Sequence, residues 1–200
     1  MNQPTKIPAT ATILIGGESK RFGSPKWEAI IDGIKLIDRT WDSCEIFENR
    51  FVVGKEKPDS ISYSFIKDEL DLQAPINGIY TALKYSKTDW AFLLSCDLPL
   101  IDSRVFEKLW ESKSENCDAV VPFSNDKIQV TCGFYHKRVL STLESEIEKK
   151  NYSIFKLLEK LNTAYVKFGK DDRFLNMNTQ EDHDAIQEAP KKGKQYDIAK

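Results

Sequence analysis

The sequence predicts an α/β fold in three layers, helix–sheet–helix, around a mostly parallel sheet. Three observations carry this. Short apolar runs rich in β-branched residues alternate with longer runs of helical period, as in chained strand–helix units. The strands read as near-continuous apolar blocks, "WAFLLSC" most of all, which suits strands buried on both faces. Several of the blocks stop abruptly at glycine or aspartate, where an open sheet presents its ligand edge.

Each element follows in order. Thr10–Ile15 is a first strand, bounded by Gly16 and Gly17. "IDGIK" carries an Asp-Gly turn. Ile37, Trp41 and Cys44, with Thr40 and Phe47 alongside, recur at helical spacing. Phe51–Val53 is a strand ending at Gly54, and Tyr63–Ile66 another ending at Asp68. Ile76, Ile79, Tyr80 and Leu83 form one helix face. Trp90–Cys96 is the most apolar strand and ends at Asp97. Asp102 is placed to cap a helix burying Val105, Phe106, Leu109 and Trp110. Ala119–Phe123 and Ile128–Tyr135 read as two strands, followed by helices near Val139–Ile147 and Ile154–Leu161. A strand near Ala164–Phe168 and a helix from Thr179 complete one domain over residues 1–189, with a flexible tail at 190–200.

Composition narrows the function. The 200 residues carry a net charge of −2, so no basic field draws the chain to nucleic acid. The four cysteines are scattered and only His136 and His183 could join them, which argues against a zinc site or a disulfide framework and for a reducing cytoplasm. The polar start "MNQPTKIP" and the short apolar run after it fit neither a signal segment nor a membrane span.

Four stretches carry the chemistry. In "LIGGESKRFGSPK" the paired glycines free backbone N–H groups to face phosphate oxygens, and Arg21 and Lys26 add positive charge. The spacing fits neither GxxxxGK[ST] nor GxGxxG, and alone the pair reads equally as a strand-to-helix turn. In "LLSCDLPLI" Asp97, straight after a buried strand, can hold a divalent cation with phosphate oxygens and water, or merely begin a turn. In "FIKDELDLQAPINGIYTAL" Asp68 can accept hydrogen bonds from a base or ribose, while Pro75 and Gly78 shape a helix entry. In "FLNMNTQED" Thr179 and Asp182 form a capping-box-like helix start, and Asn176 and Asn178 share one side of an extended segment.

Taken in order, "LIGGESKRFGSPK", "DELDLQAPINGI", "LLSCDLP" and "FLNMNTQED" resemble the molybdenum cofactor guanylyltransferases, nucleotidyltransferases of the glycosyltransferase-A-like fold with a Rossmann-like N-terminal half. The family pattern runs roughly LAGGxxxRMGxDK, an Asp with a GPLxGI-like segment, CDxP, and NxNTPEDL. The resemblance implies transfer of GMP from GTP to Mo-molybdopterin, with pyrophosphate released. It implies that Leu14, Ile15, Gly16 and Gly17 cradle the nucleotide and that Arg21 and Lys26 act on the triphosphate. Asp68 would lie by the guanosine, Asp97 would hold Mg²⁺, and Gly78, Asn176 and Asn178 would serve the substrate side. GTP and Mo-molybdopterin are the implied partners, with molybdoenzyme maturation proteins downstream, no nucleic acid or membrane, and a monomeric state. The chain departs from the pattern at Pro25, where the family has Asp, at Gly54, where strand two often ends in asparagine, and in "APINGI". These departures leave open a cytidylyl- or sugar-phosphate nucleotidyltransferase of the same fold, and a nucleotide-binding homologue without turnover.

Overall fold

A computed structural model describes residues 6–16 and 23–188. Gly17, Arg21 and the expected tail therefore lie outside the described residues. The first half comprises β1 (Ile7–Leu14), a hairpin of β2 (Ile30–Ile31) and β3 (Ile34–Lys35), α1 (Leu36–Ser43), β4 (Phe47–Gly54), β5 (Phe65–Lys67), α2 (Pro75–Tyr85) and β6 (Trp90–Ser95). The second comprises α3 (Ser103–Glu111), β7 (Ala119–Ser124), β8 (Lys127–Ile128), β9 (Cys132–His136), α4 (Leu140–Glu148), α5 (Ile154–Leu158), β10 (Thr163–Gly169) and α6 (Gln180–Glu188).

The main sheet runs β10-β7-β9-β6-β1-β4-β5, with β8 paired to β7 off this path. β1 pairs parallel with β4 and β6, β4 with β5, and β10 with β7. β9 alone on that path runs antiparallel to its neighbours β6 and β7. The layers follow from side-chain alternation. Ala11, Ile13, Phe92 and Leu94 face α1 and α3, whose Ile37, Val105, Phe106 and Leu109 belong to the same cluster. Ala91, Leu93, Ala119 and Val121 face α2, α4 and α5 through Ile79, Leu83, Leu143 and Leu157. Phe92 sits among Phe47, Phe106 and Phe134 at centroid distances of 5.0, 4.7 and 4.7 Å, so Phe92→Ala is expected to cost about 3–5 kcal/mol.

Several expectations shift. β1 starts at Ile7 rather than Thr10, because the strand continues through Pro8, with its register against β4 broken between Ile7 and Thr10. Phe47 opens β4 instead of joining the first helix, and β4 is longer than Phe51–Val53 because its polar start is held by pairing with β1. β5 is a short edge strand displaced towards Asp68. The single strand expected over Ile128–Tyr135 is two. Asn125 and Asp126 take left-handed φ of 51° and 59°, turning β7 into β8 as a hairpin. The chain then bends at residues 129–131, where the Gln129 N–H donates to the Pro122 carbonyl and the Cys132 N–H to that of Gln129. The Asp-Gly turn is present between β2 and β3, with Asp32 and Gly33 at φ 53° and 78°. Among the described residues no helix is long and apolar enough to cross a membrane.

Candidate active site

The parallel arrangement of β1, β4, β5 and β6 delivers their carboxyl ends to one edge, and backbone hydrogen bonds beyond the strands join those exits together. The Ile15 N–H donates to the Val53 carbonyl at 2.9 Å, the Asp68 N–H to that of Gly54 at 2.9 Å, and the Cys96 N–H to that of Leu14 at 3.2 Å. The exits surround a cavity of about 710 Å³. Leu14, Ile15, Gly16, Asp68, Gly78 and Asp97, all singled out in the sequence, line it together.

The walls are close-fitting where glycine stands. A Cβ on Gly78 would come within 3.0 Å of the Leu14 methyls, so the bare residue lets α2 close over the end of β1. A Cβ on Gly54 would lie 2.9 Å from Ile15 Cγ1. The Ile15 side chain thus fills the space over Gly54, the position where the family pattern often has asparagine. A Cβ on Gly16 would lie 4.0 Å from Asp68 Oδ2, which places that carboxylate beside the first glycine of the loop.

The two acidic residues differ in surroundings. Asp68 is half-buried, and desolvation raises its pKa above the ordinary carboxylate value, opposed in part by the positive charge of Lys55. Asp97 follows β6 by two residues. Its Oδ1 is buried and has no hydrogen-bond partner among the described residues, while its main-chain carbonyl accepts the Met177 N–H at 2.8 Å. That bond draws the segment before α6 against the end of β6. Met177 is fully buried between half-buried Asn176 and exposed Asn178. Asn178 Oδ1 accepts from Lys26 Nζ at 2.7 Å, which joins the far ends of the sequence; Lys26, Asn176 and Asn178 are not among the residues lining the cavity, though Trp27 beside Lys26 is. Thr179 and Asp182 form the reciprocal cap expected, with Asp182 Oδ2 taking the N–H groups of Asn178 and Thr179, and the Asp182 N–H reaching Thr179 Oγ1. The segment is anchored upstream by Arg173, bonded to Asp171 and reaching Asp102 at 3.1 Å.

Sequence reasoning missed Lys55, Trp27 and Asn77, which also line the cavity. Lys55 directly follows the Gly54 exit. Asn77 gave no periodic signal, since helical spacing sets it off the apolar face of Ile76, Ile79 and Leu83 although it is buried. Among the described residues no three His, Cys, Asp or Glu side chains gather as a metal site of their own. A divalent cation here would share Asp97 with phosphate oxygens and water, the ligand set magnesium favours.

The chain has relatives among known proteins. The family model described as "MobA-like NTP transferase domain" matches residues 11–164. The chain is 34% identical, over 86% of its length and 87% of the relative's, to a "Probable molybdenum cofactor guanylyltransferase" of Aquifex aeolicus. It is 30% identical to the molybdenum cofactor guanylyltransferase of Campylobacter jejuni strain RM1221, over 86% of this chain and 92% of that one. The crystal structure of molybdopterin-guanine dinucleotide biosynthesis protein A from Archaeoglobus fulgidus superposes with a TM-score of 0.76 at 25% identity, covering 90% of this chain and 97% of that one. Three of the four sequence segments line one cavity, the fourth docks on it through the Met177 N–H at the Asp97 carbonyl, and the similarity spans most of both chains; the protein belongs to the molybdenum cofactor guanylyltransferase family of MobA-like nucleotidyltransferases.

Proposed function

We propose that the chain transfers GMP from GTP to the phosphate of Mo-molybdopterin, yielding Mo-molybdopterin guanine dinucleotide and pyrophosphate, with Mg²⁺ as the cation. The observation that carries this reading is Asp97, whose buried Oδ1 has no partner among the described residues and which lines the cavity formed by the β1 exit and Asp68. A buried carboxylate oxygen left without a hydrogen bond is costly unless a ligand completes it. The residues fit a magnesium–nucleotide complex.

An acceptor phosphate oxygen attacks the α-phosphorus of GTP. The new P–O bond forms as the bond to the oxygen bridging the β-phosphate breaks, and that electron pair leaves on pyrophosphate. A phosphate monoester is already ionised, so no residue has to abstract a proton. The barrier lies in bringing two anions together and stabilising the leaving group. Mg²⁺, when bound through Asp97, supplies charge neutralisation on the phosphate oxygens. Lys26, held by Asn178, presents its ammonium to the triphosphate. Arg21 adds a second positive charge by its place in the sequence. Leu14, Ile15, Gly16 and Gly17 cradle the nucleotide through their backbone, and Asp68 accepts hydrogen bonds from the guanosine. Gly78 lets α2 close on Leu14 at the substrate side of the cavity, and Asn176 and Asn178 face the pterin phosphate. The residues supply mostly position and field.

The test is pyrophosphate release with GTP, Mg²⁺ and molybdopterin by the intact chain and by Asp97→Ala. Turnover by the intact chain that is lost in the variant is expected; equal rates in both would overturn the reading. A thermal-shift ranking of GTP, CTP, UTP and ATP with Mg²⁺ tests the base, with GTP expected to give the largest shift.

A further inference from the structure

Asn77 is 3% exposed, and Thr81, one helical turn on, is fully buried. Both are buried on a different side of α2 from Ile76, Ile79 and Leu83, which pack into the core. Their polar atoms point to the loop that leaves β5. Asn77 Oδ1 accepts the Leu70 N–H at 3.1 Å, and its Nδ2 donates to the carbonyls of Leu70 at 2.7 Å and Leu72 at 3.3 Å. Thr81 Oγ1 accepts the Glu69 N–H at 3.0 Å and bonds Asn77 Oδ1 at 3.5 Å. The Glu69 carboxylate is turned away from the cavity, to Lys84 and to Tyr85 at 2.8 Å. β5 is the edge strand, so the residues after it have no ladder to join. Two side chains of α2 take the ladder's place, and Asp68 is fixed from both sides: its own N–H on Gly54, the next residues on α2.

We infer that Asn77, supported by Thr81, is a positioning residue for the nucleotide subsite, holding the loop so that the Asp68 carboxylate faces the ribose or base before the nucleotide arrives. The inference rests on the guanylyl-transfer reading above. Asp68 is half-buried beside Gly16, and a carboxylate kept at a cavity wall is ready to accept hydrogen bonds without reorganising. Without the Asn77 amide the loop backbone must find water or another conformation, and nucleotide binding then includes the cost of ordering it. The acceptor side, assembled from the end of β6 and residues 176–178, shares none of these bonds.

The experiment uses the full chain with Asn77→Leu, Asn77→Asp and Thr81→Val. It measures kcat, the KM for GTP and for molybdopterin separately, the Kd for GTP, and Tm. Asn77→Leu is expected to raise the KM and Kd for GTP about tenfold, as loss of one to two net hydrogen bonds would, with the KM for molybdopterin within about twofold. In Asn77→Asp an ionised carboxylate faces the Leu70 and Leu72 carbonyls. Its KM for GTP should fall towards wild type as pH is lowered and the introduced carboxyl regains a donor. Thr81→Val removes fewer bonds, and a rise of about threefold carries the test should Asn77→Leu not fold. A folded Asn77→Leu with lowered Tm and unchanged KM for GTP would make Asn77 merely structural and overturn the inference. So would an equal rise in both KM values. A wild-type chain that neither binds nor turns over GTP sinks the functional reading itself, which is a different result.

Discussion

The chain leaves β5 and β6 at the same edge of the sheet, and an aspartate follows closely in each case, but the two exits are finished in opposite ways. After β5 the backbone is satisfied in detail, by Gly54 and by the side chains of Asn77 and Thr81. After β6 the backbone is tied down by Leu14 and Met177, yet the Asp97 carboxylate keeps a buried oxygen with no partner among the described residues. A satisfied network sets geometry and needs nothing more; an unsatisfied buried oxygen keeps stability in reserve for a ligand. In the proposed function the two aspartates would serve different partners, Asp68 hydrogen-bond donors and Asp97 a cation.

The comparison breaks most visibly at Asp97. Asp97→Asn should lower turnover by about 10²–10³-fold while Tm stays level or rises, because the site loses its charge and the fold loses only a costly group. Rate and Tm measured on the same preparation check this; a parallel fall in both would make Asp97 a structural residue. Lys26→Met should cost turnover about 10²-fold, and Asn178→Ala less, since it removes one restraint on the ammonium and leaves the charge. Steady-state kinetics on both variants give the order.

The cavity wall offers a sharper test. Gly54→Asn should destabilise by about 1–3 kcal/mol, because its Cβ meets Ile15. Adding Ile15→Ala should recover most of that loss, and a denaturation double-mutant cycle measures the coupling. Thr12 provides a control away from the edge. Its hydroxyl is buried in β1 with no partner among the described residues, so Thr12→Val should raise Tm by about 2–4 °C without touching KM.

The smallest effect is expected at Asp68. Burial raises its folded pKa above the unfolded value, so its ionisation costs stability as pH rises from the unfolded pKa through the folded one. Asp68→Asn removes that cost. Its Tm gain should be about 1–2 °C at pH 7, because the group is only half-buried, and should vanish below about pH 3. Thermal melts across that range show the sign, and a gain that grew on acidification would be wrong for this cause.

What the sequence made legible divides along similar lines. β6 was plain because both its faces are buried, and α3 because Asp102 caps it and accepts the Val105 N–H. Gly16, Asp68 and Asp97 were legible as strand ends, and the parallel pairing of β1 with β4 and β6 brings them together. The break between β8 and β9 was not, since "KIQVTCGFY" holds no proline or glycine at the bend. That bend is set by bonds from distant strands, Gln129 to Pro122 and Ser95 to Thr131. The Lys26–Asn178 contact was equally hidden, because nothing local to either residue encodes a partner at the other end of the chain.

The bond from the Met177 N–H to the Asp97 carbonyl has a consequence for synthesis. A nascent chain that has reached Gly169 already holds every described strand of the sheet, including the exits of β1, β5 and β6. It still lacks the segment that docks on Asp97 and the Asn178 that restrains Lys26. The edge that carries the proposed site is therefore completed after the strands, when the ribosome has released residues beyond 178. A chain truncated after β10 would lack the buried Phe174, Met177 and Ile186 as well as the Asn178 that bonds Lys26.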